Sequence, residues 1–226
     1  MGKCTVTAAG FLQRLRADTK AIAMTEFAIV LPVLLTLGLY GTEIARLATS
    51  RTQVSQIALS LADNASRLGQ TDNSGITPTV TENDVDALLD GAMRQGASID
   101  LLTNGRIILS SLEVDDVTGR QYIHWQRCRG ARATVSRYGD DGANNGLTGT
   151  PMSGIGSGSR KAMADPGSAI MFVEIEYEYD PLFQAPFGAG NRLVRQEAAF
   201  LIRDDRNLGD SSDPGLTGGN SDSQCN

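Results

Sequence analysis

Two residue types that build many functional sites are nearly absent. The 226 residues hold one His and three Cys, which leaves nothing to spare for a structural zinc site, since that takes four such ligands. Aromatic residues make up 5%. No basic excess exists either: 20 Lys and Arg against 26 Asp and Glu give a net charge of −6. A nucleic-acid binder needs a cationic face to displace counterions from phosphates, so that class is excluded. What remains, 41% hydrophobic and 20% charged residues, is the composition of a folded protein about one domain long, with room for an anchor.

The charge is unevenly spread. Residues 1–20 carry Lys3, Arg14, Arg16 and Lys20 against Asp18 alone, a local +3 that leaves −9 for the remainder. Directly after this basic head, residues 22–42 (IAMTEFAIVLPVLLTLGLYGT) form an apolar run with a single charge, Glu26. About 20 apolar residues cross the ~30 Å hydrocarbon layer as a helix. Basic residues before the run, and Glu43 after it, predict a cytoplasmic N-terminus and an extracytoplasmic body. A cleavable secretory signal is the competing reading. It needs small residues at −3 and −1, but cutting after Ala45 places Glu43 at −3, and cutting after Ala48 places Arg46 there. A retained anchor fits better.

An ionisable group within an apolar span is a functional-site hypothesis with a partner to be named. Cutting between Ala21 and Ile22 would free the amine of Ile22 and leave Glu26 as the fifth residue of the mature chain, one turn away. In a bundle of such helices that carboxylate meets a neighbour's amine, and two buried charges satisfy each other and set the axial register.

The leader FLQRLRADTKA, followed by IAMTEFAIVLPVLLTLGLYGTEIAR, resembles the N-terminus of TadE-like pseudopilins, from the tight-adherence (Flp, type IVc) branch of type IV pili. Glu26 and Phe27 match the family's Glu-aromatic pair at mature positions five and six, and residues 27–32 match its apolar stretch with a Pro. The position before the cut is Ala21, where the family typically has Gly. The resemblance covers residues 11–50. It implies a prepilin peptidase acting between Ala21 and Ile22, and Glu26 and Phe27 as the processing and assembly motif. Its implied partners are other pilin or pseudopilin subunits, an inner-membrane assembly platform and the lipid bilayer, with no nucleic acid, cofactor or catalysis.

Pro32 removes one helical hydrogen bond and clashes near Ala28, which predicts a helix kink; a locally melted turn is the alternative. The helical pattern continues past the membrane surface through Ile44, Leu47, Val54, Ile57, Leu61, Ala65 and Leu68. Glu43 is placed to pair with Arg46, and Gly69 ends the pattern.

Farther on, residues 81–95 predict a helix capped by Thr81 and Asp84. Asn104-Gly105 reads as a hairpin turn between residues 99–102 and 107–114, and residues 121–128 as a strand with Ile123 and Trp125 on one face. Residues 171–179 alternate strictly, which predicts Glu174, Glu176 and Glu178 on a solvent face. Residues 193–202 would pair beside them. The Gly- and Ser-rich segment 139–167 reads as a long exposed loop. Its GIGSGSRK lacks the spacing and flanking elements of a phosphate-binding loop.

The expected fold is α+β: a long transmembrane-plus-amphipathic helix packed on an antiparallel sheet head, pilin-like in layout. The divisions are a cytoplasmic leader (1–21), a spanning helix (22–42), its amphipathic extension (43–69), a head (70–206) and a Gly/Ser/Asp-rich tail (207–226). Cys4 would leave with the leader. Cys128 and Cys225 lie where disulfides persist, and a bridge would fasten the tail to a strand; two free thiols are the alternative. His124 with Cys128 gives too few ligands for a metal, and His124 reads as a strand surface residue. Asp140, Asp141, Asn144 and Asn145 lack calcium-loop spacing and read as solvated loop. Two other function classes compete: a membrane-tethered binding module that does not polymerise, and an anchored hydrolase with a pocket near Glu174–Glu178 or Asp204.

Overall fold

The computed structural model describes residues 13, 19–69, 77–159, 161–182, 192–203, 206–218 and 222–225. Most of the leader (residues 1–12 and 14–18, Cys4 among them) and the Asp204-Asp205 pair lie outside these residues. The chain divides into two compact units. One holds residues up to Leu47 together with Pro181–Gln184; the other holds Ala48–Asp180 and the residues from Ala185 onward.

Helix α1, Thr19–Ser66, is 48 residues long and contributes to both units. The chain stays helical on both sides of Pro32. Beyond residue 47 the predicted stripe is buried at Val54, Ile57, Leu61 and Ala65, each at most 3% exposed, and half-buried at Leu68; Ala58 and Ala62 join it. Polar ties hold this half in place. Gln53 donates to the Gln95 carbonyl at 3.1 Å, and Arg203 to Asp63 at 2.6 Å.

Helix α2, Glu82–Gln95, begins as predicted. The Asp84 N–H donates to the Thr81 hydroxyl at 3.2 Å, the Thr81 N–H donates back to Asp84 at 3.1 Å, and a full capping box results. The following segment departs from prediction. Asn104-Gly105 is no hairpin: a 3-10 turn, Ala97–Ile99, and a single turn of helix α3, Leu101–Asn104, precede strand β1, Gly105–Val114. Asp100, left-handed at φ 53°, redirects the chain, and Leu101 is then fully buried. That burial holds the run as a helical turn.

Strands β1, β2 (Gln121–Arg129), β3 (Ala169–Tyr179) and β4 (Arg192–Leu201) make a four-stranded sheet in the order β2-β1-β3-β4, with every pair antiparallel. The fold is thus α+β, with one long N-terminal apolar helix. The register Ile107↔Ile175 and Leu109↔Val173 places these residues on one face with Met171, Trp125 and Ala198, all buried. Arg127 and Arg129 share that face and reach Glu82 and Asp90 of α2.

The opposite face is also covered, against expectation. Leu112, Ile123, Ile170 and Phe172 cluster there with Ile155 and Ala164 from the segment read as an exposed loop. Ile155 and Ala162 exchange backbone hydrogen bonds at 2.9 and 2.8 Å, which brings Ile155 back onto the sheet. Next to this cluster, residues 131–138 leave β2 at Gly130 and cross the face as an extended strap. Gly130 has φ 116°, and a Cβ there would lie 2.3 Å from the Gly105 carbonyl oxygen, so only glycine fits the crossing.

The strap turns the expected solvent-facing glutamates into a covered ladder, with Glu174 buried and Glu176 and Glu178 half-buried. The Ser136 hydroxyl and Arg137 N–H donate to Glu174 at 2.5 and 3.2 Å; Thr134 donates to Glu176 at 2.8 Å; Arg132 pairs with Glu178. Each step of two along the strap matches a step of two back along β3. The last rung is Tyr138, whose ring meets Phe172 edge-on at 5.3 Å and whose hydroxyl donates to Glu197 at 2.9 Å.

Candidate functional site

Among the described residues, none packs on α1 between Ile22 and Thr42, all of which are exposed. From Ile22 onward it is long and apolar enough to cross a membrane, and its most apolar window is not buried at all. Large side chains stand out on every side, with Phe27 at 62%, Ile29 at 72% and Leu37 at 65% exposure. A surface of this kind marks a membrane or protein interface, because each such side chain gains about 1.5–3 kcal/mol on leaving water. Its threonine hydroxyls are already satisfied locally. Thr25 donates to the Ile22 carbonyl at 2.8 Å, Thr36 to Pro32 at 2.7 Å and Thr42 to Leu39 at 2.8 Å, as a segment in hydrocarbon requires.

Ala21 and Ile22 both lie within α1, so the proposed cleavage bond is helical here. Glu26 and Phe27 are exposed on that uncovered surface one turn later. Glu43, at its far end, does something other than pair with Arg46: it is 5% exposed and accepts the Leu182 N–H at 3.2 Å. The return of residues 181–182 to the helix is a long-range contact that spacing along α1 does not reveal.

In the globular unit, the disulfide Cys128–Cys225 is formed, with its Cα atoms 4.9 Å apart and 97 residues of sequence separation. It closes one end of a tail wrapped along β2. The Cys128 N–H donates to the Ser223 carbonyl at 2.6 Å, and Thr217 and residues 80–82 exchange hydrogen bonds at 3.0 and 3.1 Å. The loop acids are engaged as well. Asp141 accepts the Gln126 N–H at 3.0 Å, and Asp140 accepts the Gly142 and Asn144 N–H groups at 2.9 and 3.2 Å. The Asn144 amide holds Asp140 below the usual carboxylate range. These residues shape the edge of the sheet beside β2.

His124 is buried, not superficial. The register β1–β2 slips between Ser111 and Leu112, so His124 is the extra residue of a β-bulge, and Ile123 and Trp125 fall on opposite faces. Its Nδ1 lies 2.8 Å from Glu113 Oε2, and its Nε2 lies 2.8 Å from the Asp213 carbonyl. The Ser111 hydroxyl donates to the other Glu113 oxygen at 2.6 Å.

Beside this group opens a cleft of about 480 Å³ lined by Glu113, Asp115, Tyr122, Arg206 and Asp210 among others. Its titratable groups follow their surroundings. Burial pushes the Tyr122 phenol up, helped by Glu113 and Asp115. Hydrogen bonds from Thr118 and Ser211 hold Asp115 down. Burial pulls Arg206 down to about 10, with Glu113 a partial offset. Among the described residues, the buried Arg206 Nε and Nη2 atoms have no hydrogen-bond partner. They have no open surface toward the cleft and present nothing to a ligand.

Glu174, Glu176 and Glu178 form no open acid–base pocket; each is occupied by strap donors. Burial raises the Glu174 carboxyl despite those donors. Among the described residues, no three His, Cys, Asp or Glu side chains converge as a metal-binding set. No family model matches the chain, and no curated protein or solved structure does so either.

Proposed function

We propose that the chain is a TadE-like pseudopilin or minor pilin that takes part in assembling a tight-adherence type IV pilus, through subunit packing and not catalysis. The reading makes it a single-pass inner-membrane precursor with a cytoplasmic leader and an extracytoplasmic head. A prepilin peptidase would trim it between Ala21 and Ile22, and it would then join other pilin subunits at the assembly platform.

One observation carries this reading: Glu26 stands exposed on an uncovered apolar helix, four positions past Ile22 and just before Phe27. A lone carboxylate in hydrocarbon costs about 2.5 kcal/mol or more, and the amine of a neighbour's Ile22 is a partner at the right axial distance. Such pairing would fix register while the apolar surface drives lateral packing.

The test is Glu26→Gln, which keeps the shape and removes the charge. The variant should still reach the membrane fraction at the wild-type level, because insertion becomes easier. It should fall at least about tenfold in sheared filaments, the loss of one charge pair worth about 1.4 kcal/mol or more. Incorporation at the wild-type level would contradict assembly through Glu26 and would favour the tethered binding module that does not polymerise.

A further inference from the structure

The chain's one imidazole occupies the one irregular step in the β1–β2 register. Bulges re-aim side chains, and this one points His124 between a strand and the tail. Both partners of the ring are acceptors: the Glu113 carboxylate at Nδ1 and the Asp213 carbonyl at Nε2, each at 2.8 Å. A neutral imidazole has one N–H and can satisfy only one of them. Facing a Glu113 carboxylate, only the imidazolium satisfies both. The tail also sits closely against the ring: at Gly215, φ 70°, a Cβ would lie 2.9 Å from His124 Cε1 and 2.8 Å from Trp125.

We propose that His124 is a proton-controlled latch for the C-terminal tail: the imidazolium holds the turn at Asp213 against β2, and the neutral ring lets that turn open between its backbone anchors at Asn207 and Thr217, while the Cys128–Cys225 bridge keeps the chain end tethered. Chemistry decides which bond breaks first. The bond to Glu113 is charge-assisted and about twice as strong as the neutral bond to the Asp213 carbonyl. The remaining proton stays on Nδ1, and the tail loses its donor.

The groups around the ring set the direction. Glu113 of β1 and Asp210 and Asp213 of the tail favour the cation, and Tyr122 lies beside it with ring centroids 5.3 Å apart. Arg127 and Asp141 line the same cleft as His124 and largely cancel, and Arg206 acts through Glu113. Burial pulls the imidazole down, but the hydrogen bond and charge of Glu113 and the Asp213 carbonyl outweigh it, so the ring titrates above its ordinary value. A group raised on folding contributes fully below its unfolded pKa, about 6.5. That contribution is lost as pH rises through the folded value. Acid closes the latch and alkali opens it.

The test uses the full-length chain in detergent micelles. With a single histidine, its ring resonances need no assignment. Both ring nitrogens should be protonated at pH 6, with a midpoint above 6.5. Hydrogen exchange of peptides within 207–217, corrected for the intrinsic pH dependence, should accelerate with that same midpoint. The gain should be about tenfold for each unit by which the midpoint exceeds the unfolded value, with the disulfide intact. In His124→Gln the corrected exchange should be flat with pH. A neutral ring at pH 6, or tail protection unchanged across the ring's titration, overturns the latch. So does pH-dependent opening that survives in His124→Gln; should that variant not fold, the wild-type titration alone decides.

Discussion

Arg127 and Arg206 are both buried guanidinium groups, and their surroundings give them opposite effects. Arg127 meets Glu82 through two nitrogens, Nε at 2.8 Å, and that pairing outweighs the downward pull of burial on its pKa. Truncation would strand the Glu82 carboxylate at the start of α2. Arg127→Met should therefore lower stability by about 3–5 kcal/mol, and adding Glu82→Leu should recover most of that loss. Denaturant midpoints of the two variants check this. Among the described residues, Arg206 reaches the Leu68 carbonyl at 3.5 Å, and its Nε and Nη2 have no hydrogen-bond partner. Arg206→Met keeps the bulk and removes a buried charge that Glu113 offsets only in part, so it should stabilise by about 1–3 kcal/mol, seen as a raised thermal midpoint. A lowered midpoint would show that the guanidinium is needed where it lies.

Elements with a strong period of their own are legible in the sequence: the stripe of α1, the Thr81 capping box of α2 and the alternation of β3 all fall within a few residues of where spacing puts them. Elements defined by distant neighbours are not. The alternation of Glu174, Glu176 and Glu178 marks a strand correctly, but what covers it is a strap about 40 residues earlier. The strap has a signal of its own: the polar donors Arg132, Thr134 and Ser136 stand at every second position and match the glutamate spacing. His124 escapes the alternation rule because a bulge resets the two-residue period. Asn104-Gly105 misleads because the dipeptide suits a helix exit as well as a hairpin. The strap's importance can be measured. Ser136→Ala should cost about 1–3 kcal/mol, since it leaves the buried Glu174 carboxylate short of a donor. Thr134→Val should cost less, because Glu176 is half-buried and keeps Arg195, and each should speed limited proteolysis within 131–138. Unchanged denaturation and proteolysis in both would contradict a structural ladder.

For the chain as a whole, an uncovered apolar helix and a cross-linked globular unit make opposite demands on solvent, and they should respond separately to perturbation. The Cys128–Cys225 bridge closes a loop of about 100 residues, worth roughly 4 kcal/mol or more by loop-entropy reasoning. Cys225→Ser or reduction should destabilise the globular unit by that order in denaturant titrations while membrane association through 22–42 is unchanged. The proposed N-terminal motif is legible in the bare sequence because Glu26 interrupts an otherwise apolar run; its role depends on a second molecule and on a cut that frees an amine. The most direct measurement is therefore the intact mass of the chain extracted from membranes of pilus-producing cells. The account predicts a mature chain whose first residue is Ile22, with the remainder of the sequence present; a chain that still begins at Met1 in those cells would contradict it.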